Sequence, residues 1–420
     1  MNESEYTTFN FETGNEIIEQ KQPGLTFTYI SRYFSSLKTR PVSIKENRYL
    51  SRRLRYKKDP NGEMGKFESV TIMGVSGAMG NEILKRLLYD QILPDCEKIQ
   101  LFGRPKEGCS GKDKNYYNAI IEKIRDGMGG ILPQIELIDS YDAVDGDLLI
   151  MCAGKTMSKD TDRISDRTSL KDENRLIFEN CARSIKKNPF CSPELVVVVS
   201  NPNELSTWIF SKYFKRVVAI GPVLDSLRFQ REIRDDLNLS VETNIDCLVG
   251  GNHEIKGMVP LKSMLRIDGK EPSKQQWKEI FPARKRDHDE NEVYKTAFQM
   301  VKKKDQGIFE YINTHSIPIR LAVKPLIEYY CGTRADFPVG IATISVLKAL
   351  KGKLRSIATL TKKTCIGKEE VCLGVPLLLS KEGIEEIELD SIENFKGFKD
   401  DERLNRGIDV FKSKYKTNLS

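Results

Sequence analysis

From Val70 to about residue 250, short and almost wholly apolar runs alternate with longer segments of helical spacing. The apolar runs are "SVTIMG", "KIQLFG", "GDLLIMCAG", "PELVVVVSNP", "RVVAIGP" and "NIDCLVGG". A strand with no polar alternation is buried on both faces, which a parallel sheet covered by helices provides. After the first run, Ile83, Leu84, Leu87 and Leu88 fall on one side of a predicted helix. The pattern therefore predicts an α/β fold with a doubly wound parallel sheet.

Beyond residue 222 the pattern changes. A charged stretch, "PARKRDHDENEVYKTAFQMVKKKDQ", precedes an apolar helix candidate, "VGIATISVLKALKG", and two strand candidates, "VCLGVPLLLS" and "GIEEIELD". This half is expected to be mixed α+β. The predicted division is an N-terminal extension of low order (1–66), a parallel-sheet α/β domain (67–221) and a mixed α+β domain (222–420). The last carries a charged insert around 268–306. No internal repeat is visible.

Composition narrows the class. With 420 residues, 39% of them hydrophobic, the chain suits two cores. No run approaches the roughly 20 apolar residues of a membrane helix. The start, "MNESEYTTFNFETGNEIIEQ", is polar and acidic, unlike a secretory or transit signal. The nine cysteines form no CxxC pair. Free thiols in a reducing compartment follow, and a cytoplasmic or organelle-interior location is expected. The three histidines lie far apart, and no metal site is expected.

The net charge of +7 is unevenly placed. Lys38 to Lys58 holds nine basic residues and one acid, with Tyr49 and Tyr56 between them. That stretch reads as a solvated arm or as a docking segment for an acidic surface or polyanion.

"GVSGAMG" sets Gly74, Gly77 and Gly80 between the first strand and the first helix. Glycine permits the tight turn and close backbone approach, and the helix N-terminus offers amides to a pyrophosphate. The second strand ends "LFGRP", with Gly103 where an NAD site usually carries an acid and Arg104 after it. Glycine makes room for a 2′-phosphate and arginine can grip it, so NADP is expected, with NAD as the alternative. Arg104 also suits an ordinary turn.

Three further stretches complete a pattern. "VLDSLRF" holds Asp225 and Arg228, "SNPNE" puts Asn201 at a strand's end, and "GNHEIKGMVP" contains His253. With "VTIMGVSGAMG", "LFGR" and "VCLGVPLLLSKEGIEEIEL", these resemble the lactate/malate dehydrogenase family in order from about Val70 to Lys396. The archaeal-type malate dehydrogenases that use NADP look most similar. The resemblance implies a Rossmann-type domain followed by an α+β catalytic domain, and a malate dehydrogenase-like activity with lactate/pyruvate as the alternative pair.

By that resemblance, His253 carries the proton, Asp225 holds its imidazole, and Arg167 polarises the substrate ketone. Arg228 grips the substrate carboxylate, and Asn201 orients substrate and nicotinamide. Met79 and Asn174 join Gly74, Gly77, Gly80, Gly103, Arg104 and Asn201 as implied cofactor contacts. A 2-hydroxy or 2-oxo acid is the implied substrate, and a homo-oligomer the implied assembly.

The chain departs from the family in places. "HEIKG" replaces the usual "HGD", and Glu204 stands where Asp is common. The loop after "CAG" is long and lacks the usual "PR" pair. Lys155, Lys159 and Arg163 are candidates there for a distal carboxylate, and Arg163 is preferred. "GTRADFPVG" replaces a small hydroxyl-bearing segment, leaving Thr333 as the candidate substrate contact. Residues 1–66 and 268–306 are additions that could dock a protein partner. These departures keep open a second reading, a dehydrogenase-like scaffold without turnover.

Overall fold

The computed structural model describes residues 42–43, 56–57, 64, 67–90, 92–93, 96–103, 114–128, 133–157, 170–254, 257–281, 290–352, 356–366, 368–387 and 402–416. Two short strands, β1 (Val42–Ser43) and β2 (Tyr56–Lys57), precede the main succession. Then come β3 (Ser69–Met73), β4 (Lys98–Phe102), β5 (Gln134–Ile138), β6 (Leu148–Met151), β7 (Leu195–Val198) and β8 (Val217–Ala219). These six are parallel and lie in the spatial order β5-β4-β3-β6-β7-β8. That is a doubly wound, Rossmann-type sheet whose switch point falls between β3 and β6.

Every residue of β6, β7 and β8 is buried. Their uninterrupted apolar runs follow from helices on both faces. Helix α1 (Ala78–Tyr89) buries Ile83, Leu84, Leu87 and Leu88, as the spacing predicts. Helix α2 (Lys114–Met128) follows β4, and helix α3 (Lys171–Lys187) buries Phe178, Cys181, Ala182 and Ile185. Helix α4 (Asn203–Phe210) follows β7 and is buried all round.

The sheet continues past β8. Helix α5 (Gly221–Asp236) leads to β9 (Ile245–Asp246), β10 (Val249–Gly251), β11 (Met258–Pro260) and β12 (Arg266–Ile267). A long antiparallel hairpin, β13 (Ser356–Ile366) and β14 (Glu369–Ser380), then joins β8 through Thr361 and Ala219. Strand β14 meets β10 through Gly251 and Gly374, and β15 (Gly383–Ile387) along its other side. The two halves anticipated from the sequence thus share one 13-stranded sheet. The expected boundary at 221/222 falls within the first turn of α5.

Part of the segment read as a low-order extension also joins this sheet. Val42 and Ser43 pair with Ile357 and Ser356, and Tyr56 and Lys57 pair with Ile387 and Glu386. Met64 N–H donates to Lys381 O at 3.1 Å. The basic stretch therefore supplies backbone to strands that would otherwise present unpaired groups.

The charged insert is structured where it is described. Helix α6 (Lys274–Ile280) begins with a Ser273/Gln276 capping box. Helix α7 (Glu290–Lys302) buries Val293, Tyr294, Ala297 and Phe298, and also Glu290, which pairs with Arg403 at 2.9 Å. The four apolar residues pack with α8 (Ile308–Asn313) and α9 (Ile317–Tyr330) in a separate small core. Helix α10 (Asp336–Lys351) follows, and α11 (Glu402–Phe411) ends in a π-helical turn, Lys412–Lys416.

Candidate active site

At the C-terminal ends of β6 and β7 lies a cavity of about 450 Å³, walled also by the glycine turn after β3, α5, α9 and the start of α10. One side of it is shaped by the glycine turn. Gly74 adopts φ +83°, and a Cβ there would sit 2.7 Å from the backbone of Ala153. A Cβ on Gly80 would meet Gly74 O at 2.7 Å. The turn folds so tightly on its neighbours that side chains are excluded. Gly77, Ala78 and Met79 line the cavity. Helix α1 begins there with no acidic residue in its first turn and no side-chain cap. Backbone amides at such a helix start suit a pyrophosphate. Gly103 closes β4 beside the Tyr117 ring, 3.3 Å from where a Cβ would stand.

The opposite wall is built on α5. Asp225 and Arg228 lie one turn apart on it, and Asp225 is 1% exposed. One carboxylate oxygen, Oδ1, accepts from Arg228 Nη1 at 3.1 Å, and Oδ2 lies 2.5 Å from His253 Nδ1. The imidazole is buried at the end of β10. Beside a carboxylate Nδ1 is the donor, so proton exchange with a cavity ligand would fall to Nε2.

Three neighbours shape the surroundings of His253. Glu204, buried on α4, accepts His253 N–H at 2.7 Å. Asn203 Oδ1 accepts Gly221 N–H at 2.8 Å. A Cβ on Gly221 would lie 2.6 Å from His253 Cγ and 2.4 Å from Asn203 Oδ1. The ring thus rests on the bare backbone that opens α5.

The floor is fixed by side chains bonded to backbone. Asn174 Nδ2 donates to Asn201 O at 2.7 Å and Lys155 O at 3.0 Å, while Oδ1 accepts Lys155 N–H at 2.6 Å. Ser200 Oγ donates to Ala153 O at 2.7 Å. Asn201 itself lines the cavity.

Of the residues singled out in the sequence, His253, Asp225 and Arg228 meet directly, and His253 and Arg228 face the same cavity as Gly77, Met79 and Asn201. Gly74, Gly80 and Gly103 are not among its lining residues. Asn174 departs from the expectation of a cofactor contact, because its amide is consumed in tying Lys155 to Asn201. Thr333 reaches the cavity, but its hydroxyl donates to Glu328 O at 2.7 Å and closes the end of α9. Lys155 lines the cavity and pairs with Glu173 at 3.1 Å. Arg104, Lys159, Arg163 and Arg167 lie outside the described residues.

Glu254 leaves the His253–Asp225 contact in place. It is buried and accepts a hydrogen bond from Tyr415 OH, with Lys414 Nζ 4.0 Å from its other oxygen. Tyr415, Asn203, Gly221, Arg231 and Arg334 were not anticipated from the sequence. Asn203, Gly221 and Arg334 lie within stretches already quoted ("SNPNE", "RVVAIGP" and "GTRADFPVG") and so carried a local signal; Tyr415 carried none. Among the described residues, no group of His, Cys, Asp and Glu side chains could hold a metal ion, and no helix is long and apolar enough to cross a membrane.

No family model matches the chain. It is 25% identical over 263 residues to an L-lactate dehydrogenase of Geobacillus thermodenitrificans, spanning 61% of this chain and 72% of the relative. It is 26% identical over 267 residues to a malate dehydrogenase of Paramagnetospirillum magneticum, spanning 61% and 73%. The fold matches a lactate dehydrogenase from Cryptosporidium parvum, solved with lactic acid and β-nicotinamide adenine dinucleotide, with a TM-score of 0.58 and 19% identity. That match covers 84% of this chain and 98% of the other. The sequence likeness supports the lactate/malate dehydrogenase family, and the structural likeness supports its fold.

Proposed function

We propose that this chain, similar in sequence and fold to lactate and malate dehydrogenases, is a nicotinamide-dependent 2-hydroxy acid dehydrogenase. The observation that carries the reading is one carboxylate shared between His253 and Arg228, both facing the cavity beside the glycine turn.

In oxidation, Nε2 of His253 accepts the substrate hydroxyl proton, and Asp225 offsets the charge the ring gains. In reduction the same nitrogen returns the proton. Asp225 also orients the Arg228 guanidinium, which is proposed to hold the substrate's C1 carboxylate and so fix the reacting carbon. Gly77 to Met79 and the start of α1 would hold the pyrophosphate, and Asn201 would lie beside the nicotinamide. The dinucleotide, when bound, supplies the hydride acceptor or donor. Arg167 is the proposed partner of the ketone oxygen.

Two finer assignments belong to this proposal. Gly103 and Arg104 favour NADP over NAD, because glycine rather than an acid follows the end of β4 and leaves room for a 2′-phosphate that Arg104 would grip. The basic character of the cavity and of the following loop favours malate/oxaloacetate over lactate/pyruvate. Purified protein mixed with oxaloacetate or pyruvate, and with NADPH or NADH, tests all three levels through nicotinamide absorbance. Oxidation of NADPH by oxaloacetate is expected to be the fastest pairing. Silence in every combination overturns the enzymatic reading and leaves a scaffold.

A further inference from the structure

We infer that Arg334 holds a second carboxylate of the substrate, so that specificity for a dicarboxylic acid comes from the connection between α9 and α10. The inference rests on the dehydrogenase reading above and places the distal-charge contact outside the loop after β6.

Four cationic side chains among the described residues line the cavity: Lys155, Arg228, Arg231 and Arg334. Three are engaged. Lys155 pairs with Glu173 at 3.1 Å, and Arg228 shares the Asp225 carboxylate. Arg231 donates to Glu232 at 2.7 Å and lies 3.8 Å from Glu328. Arg334 makes no ion pair with any described residue and is exposed at the cavity wall. Glu328, the acid on that wall, already faces Arg231.

A specificity contact must also be held still, and this one stands on a short, tied connection. Gly332 turns the chain at φ +94°. The Thr333 N–H and hydroxyl both donate to Glu328 O, at 3.1 and 2.7 Å. Helix α10 then starts, with Val339 N–H on Ala335 O at 3.0 Å. Arg334 is therefore carried between two anchored helix ends. With Arg228 taking C1, a planar guanidinium there can accept the far carboxylate through paired hydrogen bonds. A monocarboxylic substrate would gain nothing from it.

The test compares wild type, R334Q and R334K. With oxaloacetate, R334Q is expected to lose about 100-fold in kcat/KM, because the charged hydrogen-bonding partner of the far carboxylate has been removed. With pyruvate the change stays within about threefold, and R334K recovers part of the oxaloacetate loss. Equal losses for both acids, or none for either, would overturn the assignment. Calorimetric binding of tartronate and of lactate needs no turnover and separates two failures. If the protein is silent in turnover but prefers tartronate, and R334Q abolishes that preference, the reaction is lost and the subsite stands. If wild type binds both acids alike, the subsite is lost whatever the reaction does.

Discussion

His253 Nδ1 lies 2.5 Å from Asp225 Oδ2, though 28 residues separate the two in the chain. The contact arises because α5 ends near β9 and the chain returns along β10 to the start of the same helix. The carboxylate's other oxygen faces Arg228, so one acid orients both the proton carrier and the proposed substrate clamp.

Replacing that carboxylate with an amide disturbs both at once. In D225N the amide can present its N–H to Nδ1, which places the imidazole proton on Nε2, the wrong nitrogen for accepting one. We expect kcat for oxaloacetate reduction to fall by roughly 10²–10⁴-fold, the usual range for a lost acid–base contribution. Steady-state rates with saturating cofactor measure it. A variant within threefold of wild type would remove Asp225 from the proposed mechanism.

Gly221 sets the plane on which the ring rests. A methyl group there would press on His253 Cγ at 2.6 Å and Asn203 Oδ1 at 2.4 Å. Neither is the loose end of a flexible chain: the ring is held by Asp225, and the amide by Gly221 N–H. Gly221→Ala is therefore expected to cost about 1–3 kcal/mol of stability and to lower kcat as the imidazole moves off its partner. Urea unfolding read beside turnover would show both losses together.

The doubly wound half was legible because strands buried on both faces leave an unmistakable apolar signature, as in Leu148–Met151 and Leu195–Val198. Asp225, Arg228 and His253 were legible through ordered motifs, since their local spacing says nothing of their meeting. Asn174 was assigned to the cofactor, yet its amide serves backbone, a role that composition and spacing do not distinguish from ligand binding. The charged insert reads in the sequence as an addition that could dock a protein partner, but the face of α7 carrying Val293, Ala297 and Phe298 packs into this chain's own small core. Tyr415 is 161 residues from Glu254, and no periodicity links them.

A second charged cluster joins α5 to α9, reaching the cavity wall through Arg231. Glu232, 1% exposed, accepts from Lys324 Nζ at 2.7 and 2.8 Å and from Arg231 at 2.7 Å, and lies 3.2 Å from Arg320. Burial pushes its carboxyl upward, but hydrogen bonds from Lys324 and Arg231 outweigh burial and hold it below the usual carboxylate range. A lowered folded-state value means stability that is complete above the unfolded carboxyl value, about 4.3, and lost as pH falls through the folded one. E232Q should cost about 3–5 kcal/mol at neutral pH, because buried cations lose their counter-charge. The gap to wild type should narrow below about pH 4. Urea midpoints across that range check the sign, and a gap that widens in acid would contradict the assignment.

The residue after the proposed proton carrier is itself a buried acid. Glu254 accepts from Tyr415 OH, and Tyr415 is 1% exposed on the turn that ends α11. The loop between them is tight: Asn252 N–H donates to Gly257 O at 2.8 Å, and Gly257 N–H to Glu254 O at 3.3 Å. The C-terminal segment thus grips the loop that carries His253. Y415F removes one charge-assisted donor from a buried carboxylate, for an expected loss of about 1.5–3 kcal/mol. E254Q should cost less, because a neutral amide needs the donor less. The double variant should fall well short of the sum, with a coupling of about 1–2 kcal/mol for residues in direct contact. Since the loop positions the imidazole, Y415F should lower kcat more than it raises KM, and E254Q should be milder in both. Stability and rates on the four members of the cycle decide it. Additive losses would show that the two side chains act independently, and an unchanged kcat would confine the contact to folding.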